Sequence, residues 1–331
     1  MLAPIEITHW HWVGFILCVL VFLALDLGVF HRRAHTVKFK EALTWSALWV
    51  TLSFAFAGLL SVLRGREEAV EFVTGYIIEL SLSMDNVFVI ALIFTFFRVP
   101  TQYQHRVLFW GILGALLMRG ALIAAGAELV QHFHWTLYFF GAFLVFTGIK
   151  MLLAKDEGVD PEKNPLLRLA RKFVPVTPEM HGQKFSLQLN GRRMLTPLAL
   201  VLVVVETTDL VFALDSIPAI FAVTTKPFIV FTSNVFAILG LRSLYFVLAG
   251  AIEYFRYLKV GLSLVLVFVG VKMLLAPHGD THQWFQVEIP TGLSLLVVGG
   301  IIFISIALSF AATQRDKKRG AAKRLPPTEL E

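Results

Sequence analysis

The sequence predicts an all-α polytopic membrane protein with about nine transmembrane helices, six of which form two inverted three-helix repeats. Of its 331 residues, 57% are hydrophobic and only 16% are charged, a balance that soluble globular domains do not have. The apolar residues fall into nine long runs, each close to the length of about 20 residues that an α-helix needs to cross a bilayer. Short motifs recur in the two halves of the chain, and these predict the repeat.

Nine apolar runs define the predicted helices. They cover residues 10–30, 42–63, 71–97, 105–128, 134–153, 195–223, 228–250, 258–276 and 289–311. The only cysteine, Cys18, lies inside the first run, which excludes a disulfide framework and a thiolate metal cluster. No basic stretch precedes that run, so we expect it to be retained as a helix rather than cleaved as a signal peptide.

Lysine and arginine are unevenly divided among the connections between these helices. With nine crossings, the connections on one side carry 22 basic residues, including eight between residues 155 and 193. The other side carries three, Arg64, Arg66 and Lys226. Because basic loops stay in the cytoplasm, we expect a bacterial cytoplasmic (inner) membrane protein with its N-terminus outside and its C-terminus in the cytoplasm.

Two motifs occur once in each half of the chain. FTGIKMLLA at 146–154 recurs as FVGVKMLLA at 268–276, and GILGALLMRG at 111–120 resembles FAILGLRS at 236–243. Helices 3–5 and 6–8 are therefore predicted to be two copies of one unit. A unit with an odd number of crossings inserts its two copies in opposite directions. Such inverted repeats are typical of secondary transporters, whose ion sites lie near the bilayer midplane.

The chain divides into six predicted segments. They are helices 1 and 2 (1–70), the first repeat (71–153), a cytoplasmic loop (154–193), the second repeat (194–276), helix 9 (277–312) and a basic tail (313–331). Near the end of the loop, apolar and polar residues alternate around Asn190-Gly191, which predicts a short β-hairpin. The tail, basic and then Pro-Pro, is predicted to be disordered.

Acidic residues stand out in the predicted third and sixth helices, within ELSLSMDNVFVI and ETTDLVFALDSIPAIFAVT. The polar candidates there are Glu79, Asp85 and Asn86 in the first segment, and Glu206, Asp209, Asp215 and Ser216 in the second. Two acids lie six residues apart in each segment, and both pairs match at an offset of 130. A charge at the bilayer centre costs about 2.5–3.5 kcal/mol, so five carboxylates need a function or a partner.

A straight α-helix cannot aim both of its acids at one point, because residues six apart lie on different faces. Either each helix breaks between its acids, or each helix offers its acids to two neighbours. Pro218 favours a break in the second segment, because a proline there cannot donate to the carbonyl of Leu214. We expect the two segments to meet, so that Asp85 and Asp215 share one cation.

Oxygen atoms are the only good ligands in these segments. Asn86, Ser216 and also Asn234 add neutral oxygen donors to the carboxylates, and such a set suits Mn²⁺, Mg²⁺ or Ca²⁺. The alternative is that the acids form structural ion pairs with Arg119 and Arg242, which align in the two repeats. Two arginines cannot neutralise five carboxylates, so ion pairs alone do not explain them all.

These motifs resemble the TerC family of integral membrane proteins, in particular its Alx-type members. The resemblance covers about residues 10–310 and includes KPFIVFTSNVFAILGLRSLYF at 226–246. It implies export of Mn²⁺ across the cytoplasmic membrane, with links to alkaline pH, to metal loading of exported proteins and to tellurium resistance. Carried over by position, the functional residues would be Glu79, Asp85, Glu206, Asp209 and Asp215, with Asn86 and Ser216.

The sequence therefore predicts a secondary transporter that exports Mn²⁺ by alternating access. A Ca²⁺/H⁺ antiporter and a non-transporting membrane scaffold are the alternatives. We expect a divalent cation and membrane lipids as partners, Mn²⁺ as substrate, and no cofactor. The net charge of +6 lies mostly in loops, so we expect no nucleic acid. No Ser/His pair, His-rich site or nucleotide-binding motif accompanies the acids, so we expect neither an enzyme nor ATP-driven transport.

Overall fold

Helices form most of the described chain. The computed structural model describes residues 7–25, 39–133, 135–153, 175–189, 192–249, 257–277 and 286–323. Within these ranges the helices are α1 (His9–Leu25), α2 (Phe39–Leu63), α3 (Arg66–Phe96), α4 (Thr101–His132), α5 (Trp135–Leu153), α6 (Pro197–Phe221), α7 (Pro227–Ala249), α8 (Leu258–Leu275) and α9 (Thr291–Lys323). Eight of them, α2 to α9, are long and apolar enough to span a membrane, whereas α1 is a shorter apolar helix. The predicted polytopic all-α class is confirmed.

Prolines mark the starts of several helices. Pro197 and Pro227 are the first residues of α6 and α7, and Pro100 immediately precedes α4. The ring fixes φ near its helical value, and the first helical N–H has no intrahelical acceptor, so a proline there costs no hydrogen bond. These prolines therefore mark the residues at which α4, α6 and α7 begin.

A two-stranded hairpin precedes α6, as predicted. Strand β1 (Ser186–Leu189) pairs antiparallel with β2 (Arg192–Leu195) in a register that places Leu189 opposite Arg192. The turn pair Asn190-Gly191 and most of the predicted loop lie outside the described residues. The main-chain N–H of Thr196 donates to the carbonyl of Phe185 at 3.0 Å, so the hairpin ends directly on the first turn of α6.

The C-terminal helix is longer than predicted. α9 continues to Lys323, whereas disorder was predicted from residue 313 onwards, so that prediction is wrong as far as Lys323. The segment AATQRDKKRGAAK consists mostly of alanine and long straight side chains, which are the best helix formers. An existing membrane helix also removes the cost of nucleating this segment. Residues 324–331 lie outside the described part.

Four helices form the centre of the bundle. α3 packs along α7 and α4 along α6, and α3 also contacts α6 as α4 contacts α7. α7 is the most buried spanning helix, whereas α2 and α9 expose most of their apolar side chains. α2 and α9 therefore lie at the outside of the bundle. We call α3, α4, α6 and α7 the four-helix core.

α5 and α8 form a second, closely packed pair. A Cβ atom on Gly270 of α8 would lie 2.7 Å from the carbonyl oxygen of Gly141, and one on Gly148 of α5 would lie 2.9 Å from the carbonyl oxygen of Ser263. The two contacts are equivalent in the repeated motifs: adding the offset of 122 to the α5 residue of either contact gives the α8 residue of the other. The two helices run antiparallel, because the contact with the higher residue number in α5 has the lower residue number in α8. A two-fold axis across the pair would produce this pattern, which favours the inverted repeat, still a prediction.

Substituting the interface glycines should separate this pair. Gly148→Ala and Gly270→Ala each place a methyl group against backbone atoms, which cannot move aside as a side chain would. We expect each to destabilise the protein by about 1–3 kcal/mol, the usual cost of overpacking. Thermal melting of the detergent-solubilised protein measures the effect. Gly299→Ala in α9 is the control, because nothing lies within 4 Å of its would-be Cβ, and equal melting of all three variants would contradict the close packing.

Candidate ion-binding site

A buried arginine joins the two acidic helices. Arg119 of α4 is 1% exposed and contacts the carboxylate of Glu79 on α3, which is fully buried. Its Nε and Nη2 atoms donate to the two carboxylate oxygens of Asp209 on α6, at 3.1 and 2.9 Å. Nη1 also donates to the Ser216 hydroxyl at 3.2 Å. One guanidinium therefore bridges the equivalent acids of the two segments.

Arg119, Glu79 and Asp209 form a buried ion-pair group. Such structural ion pairs are the alternative to a metal site for these two acids. A planar guanidinium that donates to both oxygens of one carboxylate is the most favourable geometry for a buried charge pair. Two carboxylates and one arginine leave a formal charge of −1 in this group. Arg242 of α7 lines, together with Asp209, a cavity of about 20 Å³. Glu79 and Asp209 are therefore arginine partners in this structure.

A second cavity contains the other pair of equivalent acids. Asp85 and Asn86 of α3 line it together with Asp215 and Ser216 of α6. Its volume is about 50 Å³, which leaves room for a water-sized particle. Two carboxylates, an amide and a hydroxyl thus border one small space.

The remaining walls of this cavity come mainly from apolar side chains. They are Leu82, Met151, Phe212, Leu262 and Leu266. Met151 belongs to α5 and the last two leucines to α8, so the cavity lies at the boundary between the four-helix core and the α5–α8 pair. The Thr147 hydroxyl of α5 donates to Asp215, and Lys150 interacts electrostatically with the same carboxylate. We call this space the Asp85–Asp215 cavity.

The structure thus brings four of the predicted residues together at this cavity, and Arg119 brings Glu79 and Asp209 together with Ser216. Glu206 packs against Gly114 of α4, and its Oε2 atom is buried with no hydrogen-bond partner among the described residues. Asn234 is buried in α7, and neither of its amide atoms has a hydrogen bond within the described chain. Among the described residues, no three His, Cys, Asp or Glu side chains lie close enough to hold a metal ion. The expected single cage of carboxylates is not assembled here.

The predicted helix break is also absent. α3 and α6 are continuous through both of their acids, and Pro218 lies inside α6. Pro218 is three residues from the end of the helix, where only one hydrogen bond is lost and the strain falls on the last turn. Each helix instead offers its acids to two neighbours. Glu79 and Asp209 contact Arg119, whereas Asp85 and Asp215 line the cavity beside the α5–α8 pair.

Sequence reasoning missed the contribution of α5. Thr147, Lys150 and Met151 all lie in the motif FTGIKMLLA, which was used only to align the repeats. Lys150 lies near the end of α5, where a lysine commonly extends toward the membrane surface. The hydroxyl and charge of this motif could have indicated that α5 faces an acidic residue.

Removing Arg119 should lower the stability of the protein more than removing a surface charge does. Arg119→Met leaves Glu79 and Asp209 as unpaired buried carboxylates, and breaking such a pair costs about 3–5 kcal/mol. Adding Glu79→Gln and Asp209→Asn removes those charges and should restore much of the melting temperature. Arg315→Gln, at an exposed position of α9, is the control. Wild-type melting of Arg119→Met would contradict the role of this ion-pair group.

The chain was also compared with known proteins. The family model described as "Integral membrane protein TerC family" matches residues 64–317. A membrane protein of Myxococcus xanthus without an assigned function is 55% identical, covering 90% of this chain and 91% of the relative. Proteins of Salmonella typhi and Escherichia coli K12 are 47% and 46% identical, covering 93% of this chain and 96% and 97% of their own lengths. Their name, Alx, comes with the provisional description of a membrane-bound redox modulator. No solved structure matches the chain. The chain belongs to the TerC family of integral membrane proteins.

Proposed function

We propose that this protein is a secondary transporter that exports Mn²⁺ across the cytoplasmic membrane by alternating access. The observation that carries the proposal is the Asp85–Asp215 cavity, which places equivalent acids of the two predicted repeats beside one small space between α3 and α6. By the distribution of basic residues, the N-terminus lies outside and the C-terminus in the cytoplasm. Membership of the TerC family agrees with an integral membrane role.

The ligands of the cavity suit a divalent cation. Asp85 and Asp215 carry two negative charges, and Asn86 and Ser216 add neutral oxygens. Two adjacent carboxylates repel each other, and one divalent cation or two protons relieves that repulsion. The two negative charges of the pair balance one M²⁺ ion, and Lys150 offsets part of them when no ion is bound. Exchange of the ion for protons would couple Mn²⁺ export to a proton gradient.

Met151 favours Mn²⁺ over Ca²⁺ as the substrate. Its side chain lines the same cavity, and a thioether sulfur is a softer ligand than any oxygen. Ca²⁺ takes oxygen ligands alone, whereas Mn²⁺, a transition metal that also prefers oxygen, accepts a softer ligand beside oxygens.

Release of an ion requires movement of the α5–α8 pair. Leu262 and Leu266 of α8 and Met151 of α5 form part of the cavity wall. The α5–α8 pair is held internally by backbone-to-backbone packing, so it would move as a unit. Alternating access then consists of a displacement of this pair against the four-helix core.

A redox role is less well supported by the chain. It contains a single cysteine, Cys18, which is an exposed residue of α1. One cysteine cannot form an intramolecular disulfide, so reversible dithiol chemistry within this chain is excluded. A redox role of this chain would then have to arise indirectly, for example through the metal that the cell retains or loses.

Neutralising either acid of the cavity should abolish transport. Asp85→Asn and Asp215→Asn keep the side-chain shape but remove one charge from the proposed site. We expect both to abolish Mn²⁺ efflux, measured as cellular Mn content after a Mn²⁺ load, with little change in the melting of the metal-free protein. Relief of the repulsion between the two carboxylates offsets the contacts that are lost.

Two controls separate this outcome from a structural effect. Glu179→Gln removes an exposed carboxylate and should leave efflux unchanged. Asp209→Asn removes a partner of Arg119 and should lower the melting temperature. Wild-type efflux from both cavity variants would refute the site. A scaffold, in contrast to a transporter, would show no stabilisation of the purified protein by Mn²⁺.

Replacing the sulfur should change the preference between metals. Met151→Leu keeps the volume of the side chain, and such swaps cost less than about 1.5 kcal/mol of stability. We expect a lower affinity for Mn²⁺ and an unchanged affinity for Ca²⁺, measured by the concentration of each ion that stabilises the purified protein. Met180→Leu, in the segment before the hairpin, is the matched control. Equal Mn²⁺ affinity in the two variants would show that the thioether does not select the metal.

A further inference from the structure

A large cavity lies at one end of the bundle, away from the acids of the proposed ion site. Its volume is about 820 Å³, within the usual range of small-molecule pockets. Its walls are the first turns of α3 and α9, the segments that follow α6 and α8, and the stretch before α9. Because four helix ends form it, the cavity lies where spanning helices meet the lipid headgroups. We call it the end cavity.

Two helix N-termini face this cavity without a capping side chain. Arg66 and Glu67 open α3, and Thr291 and Gly292 open α9. Gly65 precedes α3 and provides no side-chain hydrogen bond. Pro290 precedes α9 and has no side-chain oxygen to offer. The first amide N–H groups of a helix have no intrahelical acceptor and carry a partial positive charge, so both helices present donors to the same space.

A buried lysine lines the same cavity. Lys272 of α8 is only 7% exposed and belongs to the cavity wall. It interacts electrostatically with Glu71, but that carboxylate already accepts hydrogen bonds from Lys226 at 3.2 Å and from Thr224 at 2.8 Å. Within the described chain, the ammonium group of Lys272 makes no hydrogen bond or ion pair of its own. A buried ammonium group in that position calls for an acceptor in the cavity.

The carboxylates of the cavity lie at its edge. Glu67 and Glu288 line it and are both exposed residues. The two carboxylates would repel a bare anion on entry, and Arg66, an exposed residue of the same wall, offsets only part of that repulsion. A ligand with an anionic group bound by Lys272 and the helix N-termini, and a cationic group facing these two carboxylates, would satisfy both sets of charges.

We propose that the end cavity binds a phosphate group that carries an attached amine, as in a phosphoethanolamine unit. Phosphate fits helix N-termini because several N–H groups can donate to its oxygens at once. The amine would pair with Glu67 and Glu288. The unit could come from a membrane lipid, phosphatidylethanolamine, or from a soluble glycerophosphoethanolamine. The proposal does not depend on metal transport.

Melting of the purified full-length protein in detergent tests the proposal. Phosphatidylethanolamine, glycerophosphoethanolamine, phosphatidylglycerol and inorganic phosphate are titrated separately. We expect saturable stabilisation by an amine-bearing probe. Lys272→Gln should weaken its apparent affinity about 10- to 100-fold, because a hydrogen bond to a charged group is lost. Lys272→Arg should retain binding. Lys150→Gln changes the equivalent lysine of the other repeat and should bind as the wild type does.

The arms of this test distinguish the source of the ligand. Stabilisation by phosphatidylethanolamine alone identifies the lipid, and stabilisation by glycerophosphoethanolamine as well identifies the headgroup itself. Glu288→Gln, at an exposed position, is a second variant that leaves the helices intact. It should reduce the preference for phosphatidylethanolamine over phosphatidylglycerol. Absence of saturable binding by every phosphate probe would overturn the site, as would equal affinities of Lys272→Gln and Lys150→Gln. Because binding is the readout, the result stands apart from that of the efflux experiments.

Discussion

The ion-pair group around Arg119 is the constraint on which the centre of this bundle depends. In an apolar bundle, a buried charge is tolerated only when it is paired and hydrogen-bonded. Arg119 on α4 meets that condition by contacting Glu79 on α3 and Asp209 on α6. The guanidinium therefore fixes three helices of the four-helix core at one level. It also binds one acid from each segment, so that these acids do not compete for a metal ion.

Helix periodicity then decides where the other acids lie. Residues six apart on an α-helix point roughly 120° away from each other. Once Glu79 and Asp209 face Arg119, Asp85 and Asp215 must face another neighbour, and that neighbour is the α5–α8 pair. The same geometry that permits a stable core thus moves the second pair of acids to its boundary. A metal site at such a boundary can open by displacement of the pair without separating Arg119 from its partners.

The sequence was sufficient for the parts of the fold that depend on local patterns. The apolar runs matched the helices, and Asn190-Gly191 correctly marked the hairpin, because turn chemistry and hydrophobic length act within a few residues. The site was harder, because no pattern states which carboxylate meets Arg119. That choice depends on how α3, α4 and α6 cross. Pro218 misled for a related reason: its effect depends on its distance from the end of α6, and the sequence placed that end two residues too late.

The two copies of the α5/α8 motif show how a nearly identical sequence can serve different ends of the molecule. Thr147 donates to Asp215, whereas its counterpart at the offset of 122, Val269, packs in the apolar core. Lys150 is exposed near the acidic cavity, and its counterpart Lys272 is buried beside the end cavity. The motif keeps the glycine contacts that hold α5 to α8, so the frame is nearly symmetric while its polar groups are not. A transporter with such a frame would offer the same packing to an ion in both directions, but different charges at its two ends. Under the proposed function, the two ends would therefore differ in single side chains and share the same glycine packing.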